Sequence, residues 1–206
     1  MLTGSKRAFK EGKITRFLMQ TIGELLNHNY ADDTHAARVS PDKEFFDKWH
    51  TTTLDKMLDM AAKYKISSND KGVTNIDLFS KEGFALGHAQ KWLNMTLKYM
   101  LLMGLWKNSL DPFVPHFHVP LDTVVLREAH DQPGIKNLIN NQYKLKVASN
   151  YYAWSKIPGS QDGFQAYAGL QKAIANSVDS SPIEWEMIAW NSFMTKLHHE
   201  AKEGQS

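Results

Sequence analysis

Apolar residues recur every three to four positions along most of the chain, which is the period of an amphipathic α-helix. The pattern predicts helices over residues 5–27, 41–65, 83–103, 122–130, 134–154 and 161–176, and a last helix that begins after Ser181. No segment shows the convincing apolar–polar alternation of a half-buried strand. The sequence therefore predicts an all-α fold of seven or eight helices.

Three of these helices begin with residues that favour a helix N-terminus. Ser40-Pro41 places an N-cap residue before a proline at the first helical position. Ser181-Pro182-Ile183-Glu184 does the same and adds the glutamate of a capping box. Asp122 follows Val119-Pro120-Leu121 directly before an apolar run, so we expect its carboxylate to cap the helix over 122–130.

Composition indicates a folded protein with a real core. The chain has 206 residues, of which 42% are hydrophobic and 11% aromatic. We expect a single compact all-α domain over 1–206, with two helical sub-lobes meeting near the 104–120 connection as a finer alternative. The absence of cysteine excludes a disulfide framework, a thiolate nucleophile, a zinc–thiolate site and a cysteine-bound iron–sulfur cluster.

The formal net charge of +2 is too small to argue for a nucleic-acid partner from bulk charge. A solvated helix face is the favoured interpretation of the basic N-terminus, and an arm that contacts phosphates is the alternative. No apolar run reaches membrane-spanning length, so we expect no membrane partner. The absence of cysteine fits a cytoplasmic protein. The basic residues concerned are Lys6, Arg7, Lys10, Lys13 and Arg16.

The helix GFALGHAQKWLNMTLKYMLLMG, residues 83–104, is predicted to be mostly buried with a cationic edge formed by Lys91 and Lys98. Both lysines can simply extend to solvent. However, a lysine beside a dry cleft loses its proton more readily than one in water, and a nucleophilic amine must be neutral. The Pro-containing connection after this helix can fold back and bring Lys91 close to Asp122 across a cleft. The apolar stripe comprises Leu86, Ala89, Leu93, Leu97 and Met100.

The chain has a lysine in HAQKWLNM and, after a long connection, V-P-L-D-T at a helix start. This arrangement resembles that of the helix-hairpin-helix DNA glycosylases. The long interval is most similar to the archaeal 8-oxoguanine branch (AGOG-type), and the resemblance covers about residues 83–127. It implies two helical lobes flanking a cleft, with Lys91 as nucleophile and Asp122 as catalytic carboxylate. It also implies a monomer that binds double-stranded DNA with a modified base, needs no cofactor, has AP-lyase activity and, in a prokaryote, is associated with the nucleoid.

A glycosylase breaks a C1′–N bond through a transition state with positive charge on the sugar, which a carboxylate stabilises. The target base leaves the stack and enters a pocket with aromatic or apolar walls. For each tryptophan considered, a place in the core is the favoured alternative. The expected substrate contacts are His88, Trp92, Lys98, His116, Phe117, His118 and Trp154, with Trp185 and Trp190 as further pocket candidates.

Two other functions compete with this one. His116, His118 and Asp122, with His198-His199 much later, could form the site of a metal-dependent hydrolase, but they lack a supporting ligand set, so no metal is expected. A non-enzymatic protein could instead grip nucleic acid with its basic N-terminus and the Lys91/Lys98 edge. The excised base stays open, as does the choice between Lys91 and Lys98 as nucleophile.

Overall fold

The computed structural model describes residues 3–28, 43–63, 84–132, 134–148 and 151–203. Helices dominate these ranges, so the all-α prediction is confirmed. The α-helices are α1 (Thr3–His28), α2 (Lys43–Lys63), α3 (Leu86–Leu102), α4 (Lys107–Leu110), α5 (Thr123–His130), α6 (Ile135–Asn137), α7 (Gln161–Ser177) and α8 (Pro182–Glu203).

Shorter elements connect the helices. Two 3₁₀ helices cover Asp111–His116 and Trp154–Lys156, and a π-helix covers Leu138–Gln142. Strands β1 (Lys146–Ala148) and β2 (Tyr151–Tyr152) form a small antiparallel ladder in which Lys146 pairs with Tyr152. This ladder is too small to alter the helical class of the fold.

Helix α3 lies at the centre of the core. The predicted apolar stripe from Leu86 to Met100 is buried, with none of its five members more than 3% exposed. α3 packs against α2 and against the 3₁₀ helix Trp154–Lys156. Phenylalanine side chains add to this core beside α2, where the rings of Phe46 and Phe117 stack with centroids 5.7 Å apart. Burial of this stripe fixes which side of α3 remains for a functional site.

Most helix bounds agree with the periodicity to within a few residues. At the start of α8, Glu184 Oε2 accepts hydrogen bonds from the Ser181 backbone N–H and from the Ser181 hydroxyl, at 3.2 and 2.7 Å. The glutamate half of the predicted capping box is therefore present. The cap predicted at Ser40-Pro41 lies outside the described residues.

Of the five basic residues near the N-terminus, one has a side chain that the structure describes. Arg16 is exposed on α1, whereas the side chains of Lys6, Arg7, Lys10 and Lys13 lie outside those that the structure describes. Across the described ranges, no helix combines the length and apolar character needed to cross a membrane.

The helix predicted over 134–154 is wrong. α6 and the π-helix occupy only its first part, and the chain turns at Lys144, which has a left-handed φ of +51°. A lysine in this conformation cannot continue a right-handed helix. Beyond the turn, Leu145 N–H donates to Ile139 O at 2.8 Å, and Ala153 N–H donates to Leu145 O at 2.7 Å. The turn thus leads into the β1–β2 ladder and then to Trp154.

Candidate functional site

Lys91 of α3 and Asp122 at the start of α5 lie side by side. Lys91 Nζ is 3.3 Å from Asp122 Oδ2. The Asp122 side chain is only 5% exposed, whereas that of Lys91 is 32% exposed. The carboxylate is therefore held inside the protein, and the amine beside it can be reached from solvent.

Asp122 is the N-cap of α5, as predicted. Its backbone is extended, and its Oδ1 accepts hydrogen bonds from the N–H groups of Val124 and Val125, each at 3.0 Å. The positive end of the helix dipole also favours a negative charge at this position. Because Oδ1 caps the helix, Oδ2 is held towards Lys91. One carboxylate thus has a structural oxygen and an oxygen that faces the amine.

Next to Lys91 lie four aromatic side chains, which we call the aromatic group: Trp154, His88, Phe84 and Trp92. The amine is 4.8 Å from the ring centroid of Trp154, a cation–π distance. The His88 ring meets Trp154 edge-on at 5.8 Å, and Phe84 contacts both His88 and Trp92 at 5.9 Å. All four aromatic residues are half-buried, and burial lowers the pKa of His88. The structure therefore brings three predicted contacts together and adds Phe84, which the sequence analysis missed.

Gly87 permits the close approach of this aromatic segment to α3. A Cβ at Gly87 would lie 1.9 Å from the carbonyl oxygen of Trp154, so no larger residue fits without moving backbone. The Gly87 N–H also donates to Ile157 O at 3.2 Å. This glycine sets the distance between Trp154 and the turn of α3 that carries Lys91. A glycine inside a helical pattern can indicate such a contact, but its partner cannot be read from the sequence.

His118 belongs to a buried polar network. Its Nδ1 is 3.0 Å from the Tyr167 hydroxyl, and its Nε2 is 3.0 Å from Asp47 Oδ1. Burial lowers the pKa of His118, although the hydrogen bond and charge of Asp47 oppose this. In the neutral ring, we assign the proton to Nε2, which donates to Asp47, while Nδ1 accepts from Tyr167. His118 therefore stabilises the packing of three segments, and both of its ring nitrogens are used.

His50 extends the same network. Its Nε2 is 2.7 Å from Asn94 Oδ1, and its ring centroid is 4.3 Å from that of His118. Burial and the neighbouring His118 lower the pKa of His50 well below the usual range, even though Asn94 and Asp47 oppose the shift. Burial raises the pKa of Asp47, but hydrogen bonds and charges from His118 and Lys43 outweigh this and lower it to about 2. The network thus favours neutral histidines and an ionised Asp47.

The predicted cationic edge of α3 is wrong at Lys98. Lys98 is only 8% exposed, and its Nζ lies 2.6 Å from Glu186 Oε2 and 2.8 Å from Oε1. Burial raises the pKa of Glu186, and the hydrogen bond and charge of Lys98 oppose that rise. Lys98 therefore joins α3 to α8 through a buried ion pair instead of facing a substrate.

The remaining predicted residues take structural or peripheral places. Phe117 is 1% exposed in the core, which corrects its assignment as a substrate contact. His116 is half-buried at the end of a 3₁₀ helix, and Trp185 and Trp190 pack partly buried against the core. His198 and His199 are exposed on α8. Within the ranges that the structure describes, no group of three or more His, Cys, Asp or Glu residues could hold a metal ion.

Comparison with protein-family models, curated proteins and solved structures finds no match for this chain. Function must therefore be inferred from the geometry of the site. That geometry provides a reachable amine, a fixed carboxylate within one hydrogen bond of it, and an aromatic wall on one side. This set of groups suits covalent chemistry at an electrophilic carbon better than hydrolysis at a metal.

Proposed function

We propose that this protein is a DNA glycosylase that releases a modified base and then cleaves the abasic strand through a Schiff base on Lys91. The contact of 3.3 Å between Lys91 Nζ and Asp122 Oδ2 carries the proposal, because both groups must lie next to the same sugar. The DNA would be double-stranded and would lie in a cleft between two helical lobes, with the protein acting as a monomer without a cofactor.

Lys91 would act as the nucleophile. The Lys91 ammonium first gives a proton to solvent. The neutral amine then attacks C1′, and the Nζ–C1′ bond forms as the C1′–N glycosidic bond breaks, with the electron pair leaving on the base, which water protonates. Asp122 Oδ2 accepts a proton from Nζ and returns it to O4′ as the sugar ring opens to the iminium, which is the protonated Schiff base. Loss of a C2′ proton to water then expels the 3′ phosphate with the electrons of the C3′–O bond, and hydrolysis of the remaining iminium releases Lys91.

Asp122 would also stabilise the positive charge that develops on the sugar. Such a carboxylate is effective when it is fixed before the reaction and shielded from water. Asp122 meets both conditions, because Oδ1 is held by two backbone N–H groups and the side chain is 5% exposed. This explains why an aspartate that already caps a helix is suited to a second task.

The aromatic group would contact the extruded base. Trp154, His88, Phe84 and Trp92 lie on one side of Lys91, and stacking on aromatic rings is how proteins commonly hold bases outside the duplex. The sequence resemblance makes 8-oxoguanine opposite cytosine the first base pair to test. Stacking alone does not select a base, so other modified bases belong in the same panel.

Borohydride trapping tests the proposal. Duplexes that carry 8-oxoguanine, other modified bases or an abasic site are incubated with protein and borohydride, which adds hydride at C1′ and makes the Schiff base permanent. We expect a covalent complex with the wild type and none with Lys91→Ala, while Lys172→Ala, a change at an exposed lysine of α7, traps normally. Salt-sensitive DNA binding without trapping or base release would instead indicate a non-enzymatic binding protein.

A further inference from the structure

The segment that leads to Asp122 is held by two buried glutamine side chains. Gln171 of α7 receives the Val119 N–H on Oε1 at 2.9 Å and donates from Nε2 to Val119 O at 2.8 Å. Gln90 of α3 receives the Leu121 N–H at 3.0 Å and donates to Leu121 O at 2.8 Å. Each glutamine therefore pairs with the backbone of one residue as a neighbouring strand would.

Gln90 has no capacity for another arrangement. Its second N–H donates to Gly87 O at 2.9 Å, and its Oε1 also accepts from Asn94 at 3.2 Å. Gln90 is fully buried, and the polarity of the Leu121 backbone determines which end of the amide is oxygen. All donors of this amide and both acceptor positions are thus used, which gives a single orientation.

The position of Gln90 connects this pairing to the reacting groups. Gln90 directly precedes Lys91 in α3, and Leu121 directly precedes Asp122. The two hydrogen bonds therefore join the residues next to the amine and next to the carboxylate. A shift of Leu121 relative to Gln90 would move Oδ2 relative to Nζ by a similar distance.

We propose that Gln90 is a positioning residue that sets the distance between Lys91 and Asp122, in addition to holding the core together. This inference rests on the proposed glycosylase function for its catalytic consequence. Gln171 provides a matched comparison, because it makes the same pair of bonds to Val119, two residues further from Asp122. Both glutamines should matter for stability, but only Gln90 should strongly affect the reaction.

The test compares Gln90→Met with Gln171→Met, since methionine keeps the length of the side chain and removes its hydrogen bonds. We expect both variants to melt below the wild type, and Gln90→Met to melt lower, because it also loses the hydrogen bonds to Gly87 and Asn94. On an abasic duplex at saturating protein, below both melting points, we expect the single-turnover trapping rate to fall about tenfold to hundredfold in Gln90→Met, with duplex affinity unchanged. Gln171→Met should lose much less, because Val119 lies two residues further from Asp122 than Leu121 does. Equal losses in the two variants, or none in Gln90→Met, would overturn the inference.

A second measurement separates this inference from the proposed function. Lysines are ¹³C-dimethylated, and the Lys91 signal is assigned by its absence in Lys91→Arg. We expect Asp122→Asn to move this signal in the wild type and in Gln171→Met, but to move it much less in Gln90→Met. If the wild type never traps DNA yet these shifts occur, the glycosylase proposal fails and the positioning role stands. If the wild type traps and Asp122→Asn moves the signal equally in all three proteins, the positioning role fails alone.

Discussion

Replacing Asp122 can separate its two tasks, because its oxygens have different partners. Asn at position 122 retains an oxygen that can accept from the N–H groups of Val124 and Val125. It also replaces Oδ2 with an amide nitrogen that cannot accept a proton from Lys91. We therefore expect Asp122→Asn to keep the fold and to lose the reaction, whereas Asp122→Ala should lose the reaction and the cap.

The magnitudes of the two effects differ enough to be measured apart. Loss of an N-cap costs about 1 kcal/mol, which lowers the melting temperature of a chain of this size by about 2–4 °C. The ion pair adds little to this loss, because a third of the Lys91 side chain is exposed and solvent screens its attraction to Asp122. Loss of one preorganised electrostatic group commonly slows a reaction about 10²–10³-fold. Asp122→Asn should therefore melt close to the wild type while its trapping rate falls by that factor.

Thermal melts and single-turnover trapping on the duplex whose modified base the wild type releases measure both effects. Asp55→Asn, the same change at an exposed carboxylate of α2, is the control and should leave both unchanged. The account of Asp122 would be refuted by an Asp122→Asn protein that traps at the wild-type rate. It would also be refuted by one that melts as low as Asp122→Ala.

Three further predictions concern the surroundings of the site. Folding lowers the pKa of His50, so below about pH 6.5 the unfolded chain takes up a proton that the native state resists, and the free energy of unfolding falls. Chemical unfolding between pH 7.5 and pH 5 measures this fall. In His50→Gln the free energy of unfolding should fall less steeply than in the wild type, by up to about 1.4 kcal/mol per pH unit. Gly87→Ala should destabilise by about 1–3 kcal/mol in the same assay, whereas Gly23→Ala, with no atom within 4 Å of the new Cβ, should stabilise by about 0.5–1 kcal/mol. Lys98→Met should cost about 3–5 kcal/mol by leaving Glu186 buried without its partner, and adding Glu186→Leu should restore most of that loss. The explanation for His50 would be contradicted if His50→Gln left the pH dependence of stability unchanged. The explanation for Gly87 would be contradicted if Gly87→Ala were as stable as the wild type. The explanation for Lys98 would be contradicted if the double variant lost as much stability as the two single variants together.

Local pattern was sufficient to predict the helices that carry the proposed reacting groups. The apolar stripe of α3 and the Pro-Leu-Asp-Thr start of α5 depend on periodicity and capping, which act over a few residues. The turn at Lys144 could not be predicted in this way, because a left-handed lysine depends on the packing of the chain around it. As a result, a helix was predicted where the structure has the β1–β2 ladder, and Trp154 was placed at the end of that helix.

The polar partners of the site could not be predicted from the sequence, for a related reason. Asp47, His118 and Tyr167 come from three distant parts of the chain, and no spacing rule connects them. The same holds for the pairing of Gln90 with the Leu121 backbone, since a glutamine in a helical pattern is usually a surface residue. Such contacts are decided by the tertiary fold, and the sequence alone indicates only which residues could take part.

The sequence left Lys91 and Lys98 equivalent, and the structure distinguishes them because α8 places Glu186 against Lys98. Glu186 is fully buried and lies within 3 Å of Lys98 Nζ, so reaction at Lys98 would require a buried carboxylate to lose its counter-charge. Lys91 makes its contact at the edge, where a third of its side chain is exposed and the carboxylate is already stabilised by helix N–H groups. After Lys91 departs from Asp122 towards a sugar, two helix N–H groups still stabilise the carboxylate that it leaves behind. Reactivity is thus expected at Lys91, because there alone of these two positions can the amine leave its partner at low cost.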